Sequence, residues 1–191
     1  VSVTDWRETT PLMLATQKGH AAVVGLLKEH GAVLSAPEKQ KLLSAAIQEN
    51  KLDVVRKLLE EDGADPSVPS PDDRRRPPLH LAAEVGNADI VKLLLKKNAD
   101  VNRAGKKGKT ALGVATQKGH ADVKRLLKQH GAAVLSAAEV QKLLCAAIKK
   151  KDVDAVRTLL AEEGADPSVP GPDDEEERGP LWLAAGATLT L

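Results

Sequence analysis

The chain has 191 residues, with 28 lysines and arginines against 27 aspartates and glutamates, and an apolar content of 42% that includes no Phe and no Tyr. This nearly neutral charge excludes a general attraction to nucleic acids or anionic membranes, and no run approaches the roughly 18 apolar residues of a membrane span. A core made of Ala, Leu and Val favours thin layers of closely packed helices over a deep globular interior.

The compartment is indicated by features that the sequence lacks. The single cysteine, Cys145, excludes an intrachain disulfide and fits a reducing environment. The N-terminal residues VSVTDWRETT have no basic stretch followed by an apolar run, which is the pattern of a secretory signal. We therefore expect a cytoplasmic protein that is not attached to a membrane, with the nucleus as an alternative compartment.

The chain is built from two copies of one block, the second cut short. Segments of the first block recur 100 to 101 residues later: TQKGHA at Thr16 and Thr116, KLLSAA at Lys41 with KLLCAA at Lys142, and GADPSVP at Gly63 and Gly164. An internal period this regular indicates a repeat architecture, in which each unit packs on its neighbours.

Each block has a finer period of 31 to 37 residues, marked by equivalent leucines at Leu12, Leu43, Leu79, Leu112, Leu144 and Leu181. Every unit predicts a short Ala-rich helix, a two-residue turn and a second helix rich in Val and Leu. A residue suited to positive φ lies in the turn, at Gly19, Asn50, Gly86 and Gly119. The second helices are predicted to end at Gly31, Gly63, Asn98, Gly131 and Gly164.

The third unit, RPPLHLAAEVGNADIVKLLLKKNADVN from Arg76, resembles the ankyrin repeat, whose hallmark is T-P-L-H-x-A on a period of about 33 residues. GKTALGVATQKGHADVKRLLKQHGA and TTPLMLATQKGHAAVVGLLKEHGA are similar to it. The resemblance implies an all-α solenoid of helix-turn-helix repeats joined by hairpin or extended loops. It predicts a single array over residues 1–191, with repeats at 5–33, 34–68, 69–101, 102–133 and 134–169 and a partial repeat at 170–191.

The second and fifth repeats depart from the family pattern because neither has Thr-Pro before its first helix. Ser35 with Glu38, and Ser136 with Glu139, fit the capping box, in which a hydroxyl and a carboxylate satisfy free backbone N–H groups. We therefore expect these first helices to begin a turn early and to use the residues that would otherwise form a hairpin finger.

No arrangement of residues indicates chemistry. The five histidines occupy repeat positions, and no Cys-x-x-Cys or His-Glu-x-x-His spacing predicts a metal site. Cys145 is expected to be a small packed thiol. The carboxylates at the ends of the second helices are expected to be solvated: Glu60, Glu61, Asp62, Glu162 and Glu163. We predict no catalytic residue, no metal and no cofactor, and hence a protein that is not an enzyme.

In the ankyrin family, partners are usually bound by the hairpin tips and the exposed positions of the first helices. Carried over to this sequence, that implies partner-binding roles for Trp6, Arg7, Gln17, Lys18, Glu84, Val85, Arg103, Lys106, Lys107, Gln117 and Lys118. The match is weaker in the second and fifth repeats, where helix is expected to replace the fingers.

Two loops at equivalent places carry opposite charge. PSPDDRRRPP contributes Arg74, Arg75 and Arg76, and PGPDDEEERGP contributes Glu175, Glu176 and Glu177. One interpretation is that both are solvated turns that drifted apart after duplication. The other is that complementary loops on different molecules bring about head-to-tail self-association.

These observations favour a non-catalytic scaffold that binds another protein. Three alternatives stay open: a self-associating structural array, an engineered repeat protein, and a regulatory ankyrin module of a larger enzyme. Nucleic-acid binding is the weakest prediction, because no aromatic residues lie among the basic ones to stack on bases.

Overall fold

The computed structural model describes residues 9–71, 76–105 and 108–169, and in these ranges it contains ten α-helices and no strand. The helices are α1 Pro11–Lys18, α2 Ala21–Glu29, α3 Ala36–Gln48, α4 Leu52–Glu60, α5 Pro78–Val85, α6 Ala88–Lys96, α7 Ala111–Lys118, α8 Ala121–Gln129, α9 Ala137–Lys149 and α10 Val153–Glu162. The predicted all-α class is confirmed.

The helices form five antiparallel pairs, α1–α2 to α9–α10, stacked in chain order. The first helices α1, α3, α5, α7 and α9 each pack on the next, and the second helices α4, α6 and α8 do the same. The leucines that mark the repeat period in the sequence lie in the core of the stack. The five described equivalent leucines are at most 2% exposed: Leu12, Leu43, Leu79, Leu112 and Leu144. Leu181 lies outside the described residues.

The early start of two first helices is confirmed. Helices α3 and α9 have 13 residues, whereas α1, α5 and α7 have eight. The backbone N–H of Ser35 donates to the carboxylate of Glu38 at 2.7 Å, and that of Ser136 donates to Glu139 at 2.8 Å. Each carboxylate accepts a hydrogen bond from a backbone N–H group that would otherwise have no partner at the start of the helix. This capping allows α3 and α9 to begin immediately after a short joint.

The turn residues adopt the predicted conformation, and all nine glycines and asparagines assigned to turns and helix ends have positive φ. The sequence analysis missed one member of the set. Lys151, which holds the turn position in the fifth repeat, has φ +58°. A side chain is strained in this region, because the Cβ atom approaches the following carbonyl oxygen.

We expect Lys151→Gly to stabilise the protein by about 1 kcal/mol, because glycine removes this strain. The neighbouring Lys150 has φ −87° and is the matched control. Lys150→Gly is expected to destabilise by about 0.5 kcal/mol, since glycine there only adds freedom to the unfolded chain. Urea unfolding measures the free energy of unfolding of both variants. A loss of stability in Lys151→Gly would show that contacts of the lysine side chain outweigh the backbone strain.

Ion pairs connect successive repeats at equivalent places in the two blocks. Lys28 Nζ lies 2.5 Å from Asp62 Oδ1, and Lys128 Nζ lies 3.0 Å from Glu163 Oε1. The carboxylate side chains of Asp62 and Glu163 are only 7% and 5% exposed. The expectation that they are solvated was therefore wrong, because a lysine on the second helix of one repeat reaches the end of the second helix of the next.

Candidate protein-binding face

The exposed edge of the first helices begins with a polar link between the first two repeats. Gln17 Nε2 donates to Glu49 Oε1 at 3.3 Å, and Lys51 Nζ donates to the Gln17 carbonyl at 3.1 Å. The same Lys51 ammonium lies 2.6 Å from the Glu49 carboxylate, and it is the largest cause that holds the pKa of Glu49 below its usual value. Gln17 is thus committed to an internal contact, whereas Lys18 is exposed.

In the third repeat an ion pair crosses the exposed side of α5. Arg76 precedes the helix, and its Nη1 atom donates to Glu84 Oε2 at 2.5 Å. Lys118 at the end of α7 lies 3.7 Å from the other carboxylate oxygen. One carboxylate therefore receives a cation from its own repeat and another from the following repeat.

The fourth repeat contains the same bridge with different chemistry. Lys109 precedes α7, and its ammonium donates to Gln117 Oε1 at 2.8 Å. Both bridges join residues eight positions apart, so Lys109 is the structural equivalent of Arg76 and Gln117 that of Glu84. The ion pair of the third repeat corresponds to a charged hydrogen bond to a neutral amide in the fourth.

A groove of about 250 Å³ lies between these two bridges. Its lining consists of Arg76, His80, Glu84, Lys109, Val114, Gln117 and Lys118. The two bridges bound the groove on neighbouring repeats, and the packed helices α5 and α7 supply its rigid walls. The groove therefore exists before any partner arrives, which lowers the ordering cost of binding.

His80 links the two repeats beneath the groove. It is buried, and its Nε2 atom lies 2.6 Å from the Lys109 carbonyl. A carbonyl only accepts, so Nε2 carries the proton. The Nδ1 atom is a buried acceptor with no hydrogen-bond partner among the described residues. Burial lowers the pKa of His80 and the charge of Arg103 acts in the same direction, against the hydrogen bond to Lys109. His80 is therefore neutral at physiological pH and orients Lys109.

Four residues predicted as partner-binding meet at this groove: Arg76, Glu84, Gln117 and Lys118. Val85 is half-buried at the end of α5, and Arg103 is exposed in the joint before α7. Gln17 and Lys18 lie in the first repeat and do not line the groove. The remaining predicted residues lie outside the described residues, and these are Trp6, Arg7, Arg74, Arg75, Lys106, Lys107, Glu175, Glu176 and Glu177.

The sequence analysis missed Lys109 and Val114 as groove residues. The sequence does contain a signal for Lys109, because this residue precedes Gln117 by eight positions, as Arg76 precedes Glu84. It also missed Val33 and Val134, which are 79% and 81% exposed in the tight joints before α3 and α9. These valines place a matching exposed apolar side chain in each of the two tight joints.

A second, more apolar groove follows between the fourth and fifth repeats. It measures about 180 Å³, shares Lys109 with the first groove, and includes Leu135, Lys142, Leu143 and Ala146. Lys109 therefore lies between a charged groove and a more apolar one.

The part of the chain that the structure describes contains no group of three or more His, Cys, Asp or Glu side chains arranged to hold a metal ion. Within the same residues, no helix combines the length and apolar character needed to cross a membrane. Cys145 is buried in α9. What the described face offers is charge and hydrogen-bonding groups on a rigid frame.

Comparison with known proteins agrees with this architecture. A family model for ankyrin repeats (3 copies) matches residues 2–70 and again residues 69–138. No curated protein matches the chain significantly. Ankyrin repeats generally mediate protein–protein interactions. Since the family model covers well over half of the sequence and the helix pairs follow its period, the chain belongs to the ankyrin repeat family.

Proposed function

We propose that this protein is a non-catalytic, intracellular scaffold that binds another protein through its finger tips and the exposed face of its first helices. The observation that carries the proposal is the groove between α5 and α7. It gathers three of the residues implied by the family pattern together with Arg76 of the basic loop, and its walls are fixed by helix packing and by His80.

The chemistry of this face supports recognition rather than catalysis. Its hydrogen-bonding groups are largely committed to the Arg76–Glu84 and Lys109–Gln117 bridges. The one buried imidazole has its protonated nitrogen bonded to a backbone carbonyl. Such groups orient and select a partner, whereas general acid–base catalysis needs a group free to exchange protons near its working pH.

Photo-crosslinking from two matched arginines tests the proposal. A benzophenone amino acid replaces Arg103 at the tip of the fourth repeat, or Arg125 on the outer helix α8; both side chains are exposed. In cells of the source organism, we expect a discrete adduct with another protein from position 103 and none from position 125. Equal labelling from both positions would contradict a binding face on this side of the solenoid.

A further inference from the structure

The groove between the third and fourth repeats carries more positive than negative charge. Among its seven lining residues, Arg76, Lys109 and Lys118 are cationic and Glu84 alone is anionic. Arg103 is exposed in the joint that leads into α7, close enough for its charge to lower the pKa of His80. The groove is therefore electrostatically complementary to an acidic segment.

The position of Glu84 shows how these cations hold a carboxylate. Its two oxygens receive Arg76 from one side at 2.5 Å and Lys118 from the other at 3.7 Å. At the equivalent point of the fourth repeat, Gln117 supplies a neutral amide to Lys109. A carboxylate of a bound segment beside Lys118 would repeat the contact that Glu84 already makes there, and charge-assisted hydrogen bonds of this kind are the stronger ones.

An acidic segment of the required chemistry is present in the chain itself. Residues 173–177 read DDEEE, five successive carboxylates. The corresponding loop of the first block reads DDRRR, and its last arginine, Arg76, is already engaged with Glu84. Arg76 thus belongs both to the basic loop and to the groove that it lines with Lys109 and Lys118, and this groove is an electrostatic complement for the acidic run.

We propose that the groove between α5 and α7 binds the acidic run at residues 173–177 of a second copy of this chain. This inference rests on the proposed protein-binding function of the same face and names its partner. The groove and the acidic run are different patches, so the contact is heterologous and each new copy leaves one patch of each kind open. The assembly is thus a head-to-tail chain that grows with concentration.

Peptide binding to the 191-residue chain tests the contact. The probe is a fluorescent peptide of residues 170–180, and its control carries Glu175→Gln, Glu176→Gln and Glu177→Gln. We expect saturable binding of the acidic probe at about 50 mM salt, and weaker binding at about 500 mM salt because the shorter Debye length screens exposed charges. Lys118→Glu is expected to weaken binding about tenfold, and Arg125→Glu on the outer helix by less than about twofold. Circular dichroism and thermal unfolding confirm that both variants fold.

Light scattering behind size exclusion tests the assembly. We expect the mass of the wild-type chain to rise with concentration at low salt and to fall at high salt, with Lys118→Glu shifting it toward the monomer. A monomer at every concentration overturns the inference, as does equal loss of peptide binding in Lys118→Glu and Arg125→Glu. Association that is indifferent to salt also overturns it, and points to the exposed apolar Leu14 and Leu26 of the first repeat.

The outcomes distinguish this inference from the broader function. If the acidic peptide does not bind while Arg103 crosslinks to a different protein, the scaffold function stands and the second-copy partner is wrong. If neither contact forms, both proposals fail.

Discussion

Gly86→Ala is expected to destabilise the protein far more than Gly119→Ala, although both glycines hold the same turn position. Their φ angles are +82° and +74°, so alanine is strained at either site. The surroundings differ. A Cβ atom on Gly119 would meet nothing within 4 Å, whereas one on Gly86 would lie 2.6 Å from the imidazole ring of His120.

The ring of His120 cannot move aside without a further loss. Its Nε2 atom lies 3.2 Å from the Glu84 carbonyl, a contact that ties the fourth repeat to the end of α5. We expect about 1 kcal/mol of destabilisation for Gly119→Ala from strain alone. For Gly86→Ala we expect roughly 3 kcal/mol, since overpacking and the lost hydrogen bond are added.

Chemical denaturation of both variants measures this difference. The double variant Gly86→Ala/His120→Ala is the control for the steric argument, because removal of the ring leaves room for the new methyl group. We expect Gly86→Ala to be much less damaging in that background than in the wild type. Similar effects in the two backgrounds would show that backbone strain, and not the ring, dominates at position 86.

Glu163→Gln is expected to destabilise the protein by about 3 kcal/mol, because breaking a buried ion pair strands a charge. Glu163 accepts from Lys124 at 2.8 Å and from Lys128 at 3.0 Å. The Lys124 side chain is only 10% exposed, so it cannot recover its hydration when the carboxylate is lost. Asp62→Asn is the matched variant in the first block. There we expect a smaller loss of about 1 kcal/mol, since its partner Lys28 is 34% exposed and can turn to water.

A rescue variant separates charge from packing. The first block has Val24 at the position of Lys124, and this valine is buried. Lys124→Val combined with Glu163→Gln is therefore expected to recover most of the lost stability, because no buried charge remains. If the double variant is as unstable as Glu163→Gln, the stranded lysine is not the cause.

The pH dependence of this site has a definite sign. Burial raises the pKa of Glu163, but hydrogen bonds and charge from Lys124 and Lys128 outweigh it and hold the pKa below the ordinary value of 4.5. A carboxyl group with a lowered pKa stabilises the fold at pH values above 4.5, and this contribution is lost as the pH falls through the folded-state pKa. The difference in unfolding free energy between wild type and Glu163→Gln should therefore shrink on acidification below pH 4.5. A difference that stays constant would exclude a charge-based role.

The repeat period, the turns and the helix starts could be predicted from the sequence, because each depends on residues that are close together in the chain or that recur at a regular spacing. The leucines at a spacing of 31 to 37 residues, the glycine turns and the Ser–Glu capping boxes each act within one repeat. The positive φ of Lys151 was not predicted, because lysine is not favoured in this conformation. The surrounding structure imposes it. Repetition of the pattern identifies such a position even where the residue type does not.

What the sequence by itself determined is therefore the all-α repeat array and its turns. The tertiary structure alone decided which side chains share an environment. The Glu84 carboxylate joins Arg76 of its own repeat to Lys118 of the next, and Glu163 is buried under two lysines of the repeat before it. Lys118 lies 34 residues after Glu84, and Lys124 and Lys128 lie 39 and 35 residues before Glu163, so only the stacking of one repeat on another brings these partners within a few ångströms. The burial of Glu163 and the ion pairs between repeats are properties of that interface, which no single repeat contains.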